Sequence, residues 1–335
     1  MINYQDIRNV HLEIASLCNA SCPWCPRNFW GYPHNGGYPE TYMTLAQAQQ
    51  IFSKDFLSQL TSIDINGNFG DIVMNPEGAD IVEYFLAVNP NILITVSTNG
   101  SGRNKQFWKR LGTSKITVMF CLDGLDDTHH LYRQNTSWKK ILENAQTFIK
   151  SGGNAVWKMI SFDHNQHQIE QCRAMSQELG FAKFDLIQSE RTVAPVFDKH
   201  GQLTHTIGDY QDEQSFEVLF YKKQNDQVLL EDILPGRTPK TQLSCDTINR
   251  KSIYISATGE VFPCCYLGFY PKTYGNGQYH QAANSQIAPL ITHNTALDYS
   301  IEECVKWFNS IEQQWKKSTY QDGRLVICDD CCGCR

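Results

Sequence analysis

The stretch Cys18-Asn19-Ala20-Ser21-Cys22-Pro23-Trp24-Cys25 decides how this chain is read. It sets three cysteines in a C-x3-C-x2-C array just after a short apolar run, His11 to Ala15. Three thiolates this close on one loop cannot all pair as disulfides, but they can converge on a metal centre while supplying one ligand too few. A [4Fe–4S] cluster normally takes four cysteine thiolates, so the array implies either a distant fourth ligand or an iron kept for a non-protein ligand. A structural zinc site shows a second ligand pair at closed spacing, and none lies nearby. Three incidental thiols are the remaining alternative.

Working outward, 335 residues are two domains' worth, or one large α/β domain with an appendage. A hydrophobic fraction of 41% is ample for a core. The net charge of −6, with no basic block, argues against nucleic acid as the main partner, because phosphate binding needs clustered Lys and Arg. No signal peptide opens the chain and no apolar run approaches bilayer-spanning length, so a soluble, cytoplasmic protein with no membrane partner is expected. The 13 cysteines are odd in number and gather toward two ends, which metal clusters explain better than disulfides.

Apolar, β-rich runs at His11–Ala15, Ser62–Asn66, Ile92–Thr98, Ile116–Asp123, Val156–Phe162 and Phe184–Gln188 predict six parallel strands. Amphipathic stretches between them predict helices at Leu45–Gln59 with Thr44 as N-cap, Ala79–Val88, Lys105–Leu111, Trp138–Lys150 and Gln168–Leu179. Such alternation with right-handed crossovers closes into a barrel or an open doubly wound sheet, and periodicity does not choose between them.

The cysteine array, with the aromatic Trp24 before its last cysteine, resembles the signature of the radical S-adenosylmethionine (SAM) superfamily. The resemblance implies an α/β fold, a partial (β/α)6 TIM-type barrel whose cluster loop follows the first strand, as Cys18 does here. It also implies that Cys18, Cys22 and Cys25 hold a [4Fe–4S] cluster whose open iron chelates SAM, with Trp24 against the adenine. The other strand ends are read the same way. Asn66-Gly-Asn-Phe-Gly70-Asp71 resembles the family's Gly-Gly-Glu segment, with Gly70 and Asp71 in the Gly-Glu places and Phe69 replacing the first glycine. Ser97 and Asn99 fall where the family binds the ribose. Cys121-Leu-Asp123-Gly resembles Ser-Leu-Asp-Gly, Arg133 can clamp a carboxylate bidentately, and Lys158 is a polar residue in a buried strand facing the barrel mouth. His164 and His167 read as polar loop residues.

A second cysteine group closes the chain. Cys245, a hairpin over Ser252–Ser256 and Val261–Phe262, Cys264-Cys265 and Cys328-Asp-Asp-Cys331-Cys332-Gly-Cys334 resemble the twitch, or SPASM-like, extension that holds an auxiliary [4Fe–4S] cluster. Cys245, Cys264, Cys328 and Cys331 form the expected ligand set, with Cys265, Cys332 and Cys334 as rivals by adjacency and a zinc ribbon as the alternative. The domains follow as a barrel over 1–215, a linker over 216–240 with a helix near Phe216–Tyr221, and a twitch domain over 241–335.

The resemblance implies reductive cleavage of SAM to a 5′-deoxyadenosyl radical that abstracts a substrate hydrogen atom, fed by a flavodoxin- or ferredoxin-type electron donor. An oxidative modification of a ribosomally made peptide is expected. Dehydrogenation of a sugar-like small molecule is the alternative enzyme reading, and a non-catalytic Fe–S electron carrier is the alternative of another class. Since the first strand lies so near residue 1, a small molecule or a separate leader-peptide-binding partner is also expected. Cys121, Cys172, Cys265, Cys304 and Cys332 lie outside the ligand sets and any of them could donate a hydrogen atom, Cys121 first because it stands at a strand end, although a free cysteine is usually a small core hydrophobe.

Overall fold

The computed structural model describes residues 2–33, 38–188, 193–209, 238–239, 243–269 and 284–332, with only the backbone of 330–332. The helix expected at 216–221, the linker up to residue 237, Cys334 and the side chains of Cys331 and Cys332 lie outside the described residues.

Among the described residues, eight strands form one sheet, in the order β12 (Val261–Phe262), β11 (Ser252–Ile255), then β1-β4-β5-β6-β7-β8. The six expected strands are β1 (Asn9–Leu12), β4 (Ser62–Ile65), β5 (Leu93–Thr98), β6 (Thr117–Cys121), β7 (Asn154–Ser161) and β8 (Lys183–Gln188). Each is parallel to the next, so the chain builds the expected partial (β/α)6 barrel. Two short strands, β2 (Asn28–Phe29) and β3 (Tyr32–Pro33), pair within the cysteine loop.

Alternation along the strands sorts their side chains onto two faces. Leu12, Ile65, Val96, Phe120 and Trp157 are buried toward the outer helices, where Phe120 meets Trp108 of α4 (Lys105–Thr113) and Phe148 of α6 (Trp138–Lys150) with ring centroids 5.1 and 5.9 Å away. His11, Asp64, Thr95, Ser97, Met119 and Lys158 lie on the opposite, inner face and are half-buried. The barrel interior is therefore polar at positions that a purely structural core would fill with branched apolar residues.

Thr44 caps α1 (Leu45–Ile51) with a full capping box to Gln47. The single helix expected over Leu45–Gln59 is broken, because Ser53 accepts from the Phe56 amide at 3.2 Å and starts α2 (Lys54–Gln59). α3 (Gly78–Val88) and α7 (Ile169–Glu178) match their expected positions, and α5 (Asp126–Tyr132) is an additional helix after β6.

Beyond β8, where no strand was expected, lies a further antiparallel pair, β9 (Ala194–Phe197) and β10 (Leu203–Ile207). All four residues of β9 are buried, and Phe197 stacks parallel on Phe29 of the cysteine loop, 6.2 Å between centroids. Its apolar content was masked in sequence by the polar residues on either side. The expected C-terminal hairpin forms as β11 (Ser252–Ile255) and β12 (Val261–Phe262), turning at Gly259 with φ +82°. It belongs to the main sheet, because β11 lies parallel to β1 with Tyr254 opposite His11.

Asn75, fully buried, donates to the carbonyls of Ile14 (2.8 Å) and Met43 (2.9 Å) and accepts from the Glu77 amide (2.8 Å), joining β1, the approach to α1 and the start of α3. Asn75→Ala removes three hydrogen bonds, after which the Ile14 carbonyl keeps the Met43 amide (2.9 Å) while the Met43 carbonyl and the Glu77 amide lose this partner. It should cost about 2 kcal/mol of stability, read from the denaturant midpoint at constant m-value. A loss below about 1 kcal/mol would show that water replaces the amide.

Candidate active site

The three thiols of the array sit beyond the carboxyl end of β1, where parallel α/β sheets place their chemistry. Cys22 is buried and Cys18 and Cys25 are half-buried, packed with Trp24 among Tyr132, Phe162, Val196 and Ile207. Burial pushes the Cys18 thiol well up, and Asp71, Cys25 and Cys22 raise it further, which places the three sulfurs in one another's field. Nitrogen donors face them. The Ala20 amide donates to Cys18 Sγ at 3.4 Å, Asn99 Nδ2 points at the same sulfur at 3.7 Å, and Arg133 Nη1 stands 3.9 Å from Cys22 Sγ.

Among the described residues, no three His, Cys, Asp or Glu side chains stand where they could share one metal ion. Sulfurs tetrahedral on zinc at about 2.3 Å are less than about 4 Å apart, whereas cubane cysteines each take a different iron and stand farther apart. The donor set, soft thiols in an apolar wall with N–H groups aimed at sulfur, suits a [4Fe–4S] cluster.

Around this mouth the expected site residues are mostly bonded to one another. Asp71 is buried, and its Oδ1 accepts from Thr98 Oγ1 (2.6 Å) and the Val73 amide (3.0 Å) while Oδ2 accepts from the Asn99 amide (2.7 Å). Three of about four acceptor positions on the carboxylate thus lock the end of β4 to the end of β5. Asn99 also donates to Asn19 at 3.0 Å, tying β5 to the cysteine loop. Asp123 is fully buried and accepts from Arg133 Nε at 2.5 Å and the Ile160 amide at 2.7 Å, so it aims the Arg133 guanidinium at Cys22. Ser97 lies on the inner face of β5, and Lys158, level with Cys121 in the sheet, on that of β7. Trp24 packs edge-on to Trp30, 4.8 Å between centroids, and its buried Nε1 has no partner among the described residues.

Gly70 is required by close approach, since a Cβ there would lie 1.9 Å from the Ala15 carbonyl oxygen. Phe69, the departure from the family segment, stacks between Tyr38 (4.5 Å) and Phe269 (5.6 Å), joining the cysteine loop to the helix that begins at Cys265. Two residues were missed in sequence. Glu13 is almost fully buried and accepts from the amides of Phe69 (2.7 Å) and Gly70 (2.9 Å) and from Tyr254 Oη (2.6 Å). A single acid inside the apolar run His11–Ala15 was the available signal, because a buried carboxylate needs partners. His129, on the unpredicted α5, accepts from the Asp123 amide at 3.1 Å and meets Thr136 Oγ1 at 3.0 Å.

The second group also assembles. The Cys264 thiol is raised well up by burial and then by the nearby Cys265, Cys328 and Cys245. Three of the four expected ligands are thus neighbours, and the Cys331 side chain lies outside the described residues. A buried Arg324–Asp329 ion pair, 2.9 Å, holds the turn that carries Cys328. Cys265, pushed up to about 11 by burial, lines the same cavity as Cys264 and Asp64.

No protein-family model matches the chain. Over 171 residues it is 23% identical to the FeMo cofactor biosynthesis protein NifB of Methanocaldococcus jannaschii, covering 48% of this chain and 56% of NifB. It superimposes on Streptococcus suis SuiB with a TM-score of 0.56 at 14% identity, over 90% of this chain and 65% of SuiB. For SuiB bound to the precursor peptide SuiA the TM-score is 0.53 at 15% identity, over 81% and 62%. The AdoMet-bound anSMEcpe gives 0.52 at 16% identity, over 95% of this chain and 85% of that one. These likenesses show that the chain shares the fold of SuiB and anSMEcpe. It spans little more than half the length of NifB and less than two thirds of SuiB. Among the described residues, no helix is long and apolar enough to cross a membrane.

Burial lowers the His129 pKa from the ordinary 6.5 to about 4. The unfolded chain takes up this proton near 6.5 while the fold resists it until about 4, so the contribution is complete above pH 6.5 and is lost as pH falls toward 4. It amounts to about 3 kcal/mol. The difference in unfolding free energy between wild type and His129→Gln should therefore shrink steadily between pH 7 and pH 4.5. A constant difference would mean that the histidine titrates in the fold as it does in the unfolded chain.

Proposed function

We propose that this chain is a radical SAM enzyme that binds a [4Fe–4S] cluster at Cys18, Cys22 and Cys25 and S-adenosylmethionine beside it, and that it oxidatively modifies a ribosomally made peptide. The observation that carries the reading is the convergence of the three thiols with Arg133 and Asn99 at the mouth of a polar-lined barrel. A reduced cluster with SAM bound supplies a 5′-deoxyadenosyl radical, which takes a hydrogen atom from an unactivated C–H bond.

The chain's own residues bind, orient and shield. Arg133, fixed by Asp123, presents a cation beside Cys22 for the methionine carboxylate of SAM, and neutral His129 keeps the Asp123 backbone in place. Trp24 Nε1 offers an unused donor to the nucleoside, and Ser97 and Lys158 present polar groups from the inner face. Tyr132, Phe162, Val196 and Ile207 keep water from the thiols, two of them brought there by the β9–β10 pair. Cys245, Cys264, Cys328 and Cys331 hold an auxiliary cluster in this reading, with Cys264 against the barrel interior. The peptide substrate is supported by the likeness to SuiB, which has been solved with its precursor peptide.

Anaerobically reconstituted protein should bind about eight irons, and the variant with Cys18, Cys22 and Cys25 all changed to Ala about four. Bound zinc in place of iron, or no iron lost in the variant, rejects the cluster assignment. Dithionite should release 5′-deoxyadenosine from SAM slowly without any substrate, and Cys22→Ala should abolish it. Product persisting in Cys22→Ala means that SAM is cleaved elsewhere.

A further inference from the structure

A cavity of about 690 Å³ opens on the inner face of the sheet where β4, β1 and β11 run side by side, walled by His11, Asp64, Tyr254 and the Cys264–Tyr266 segment. Asp64 stands out in this wall, because its Oδ1 is buried without a hydrogen-bond partner. An unpartnered buried carboxylate oxygen is costly to keep. The charged groups that face it do not satisfy it. His11 is held by burial below its ordinary pKa, and its Nε2 is engaged with the Asn66 carbonyl at 2.5 Å. Arg250 is paired with Asp246 at 2.9 Å. Lys158 acts on Asp64 only as a more distant charge from β7, with no ion pair between them among the described residues. Cys265 is a high-pKa thiol and brings no positive charge.

The position of the cavity is as informative as its chemistry. Cys264 of the second thiol group forms part of its wall, and β4, which carries Asp64, runs on into the loop that sets Asp71 beside Cys18. The cavity thus borders the second thiol group and runs along the amino-terminal halves of β1, β4 and β11. A neutral donor would leave the charge of Asp64 uncancelled, and a metal would need further ligands that the described residues do not bring together. A cation that donates hydrogen bonds meets both needs.

We propose that this cavity is a binding site in which Asp64 holds a cationic nitrogen, an ammonium or guanidinium group such as a lysine or arginine side chain of a peptide substrate carries. The proposal rests on the radical SAM reading for what then happens to the substrate, but not for the binding itself.

Charge-selective thiol labelling tests it without a known substrate. Reconstituted protein is treated with two methanethiosulfonates of matched length, one ending in an ammonium and one in a sulfonate. Modification of Cys265 is followed by peptide mass spectrometry, with rates normalised to a free thiol in solution. The ammonium reagent should react at least about tenfold faster, as expected where a charged cleft concentrates a counter-ion. Asp64→Asn should bring the ratio to within about twofold. A Ser62→Cys reporter in a Cys265→Ser background reads the same cavity if Cys265 is engaged by the cluster. Equal rates for the two reagents, a faster sulfonate, or a ratio unmoved by Asp64→Asn would overturn the proposal. Failure to form 5′-deoxyadenosine would instead sink the functional reading and leave this charge test intact.

Discussion

The carboxylate of Glu13 is the point on which three parts of this molecule depend. It sits one residue past β1, inside the core, and its three acceptor contacts reach the loop after β4 through two amides and strand β11 through the Tyr254 hydroxyl. A charge so placed is tolerable only when it is well hydrogen-bonded. Each of its partners therefore has to be where it is. The loop that follows β4 is drawn down onto β1, Gly70 comes into contact with the Ala15 carbonyl, and the C-terminal hairpin is pinned as a strand of the barrel sheet.

The same economy governs the mouth. Asp71 and Asp123 are buried acids whose oxygens are largely spent on neighbouring strand ends and on Arg133. Their role is to fix backbone and to aim a guanidinium, which leaves Arg133, Trp24, Ser97 and Lys158 as the groups able to meet a bound molecule. Asp64 contrasts with both, because its buried oxygen is not spent. Within one barrel, acids of similar sequence setting thus divide into those that build the site and one that is available to use it.

Coupling between the two thiol groups is built from packing. Tyr38, Phe69 and Phe269 form a continuous stack from the cysteine loop to the helix beginning at Cys265, and Asn68 donates to the Cys265 carbonyl at 2.8 Å. A glycine in place of Phe69 would remove the central ring. The departure from the family's glycine pair is thereby accounted for by a contact between segments some 200 residues apart in the chain.

Much of the architecture is legible in the sequence, because period-two apolar runs and capped amphipathic helices are local signals. All six barrel strands and the cap at Thr44 follow from them, as does the grouping of cysteines by spacing. The short polar helix α5 and the β9–β10 pair did not show, since each is stabilised by what it packs against and not by its own pattern. The sequence by itself also determined which residue types would surround the cysteine loop. Only the tertiary structure decided which of them are consumed, because whether a carboxylate is free depends on amides delivered by other strands: Asp71 and Asp123 find such partners, the Oδ1 of Asp64 does not, and Glu13 finds three.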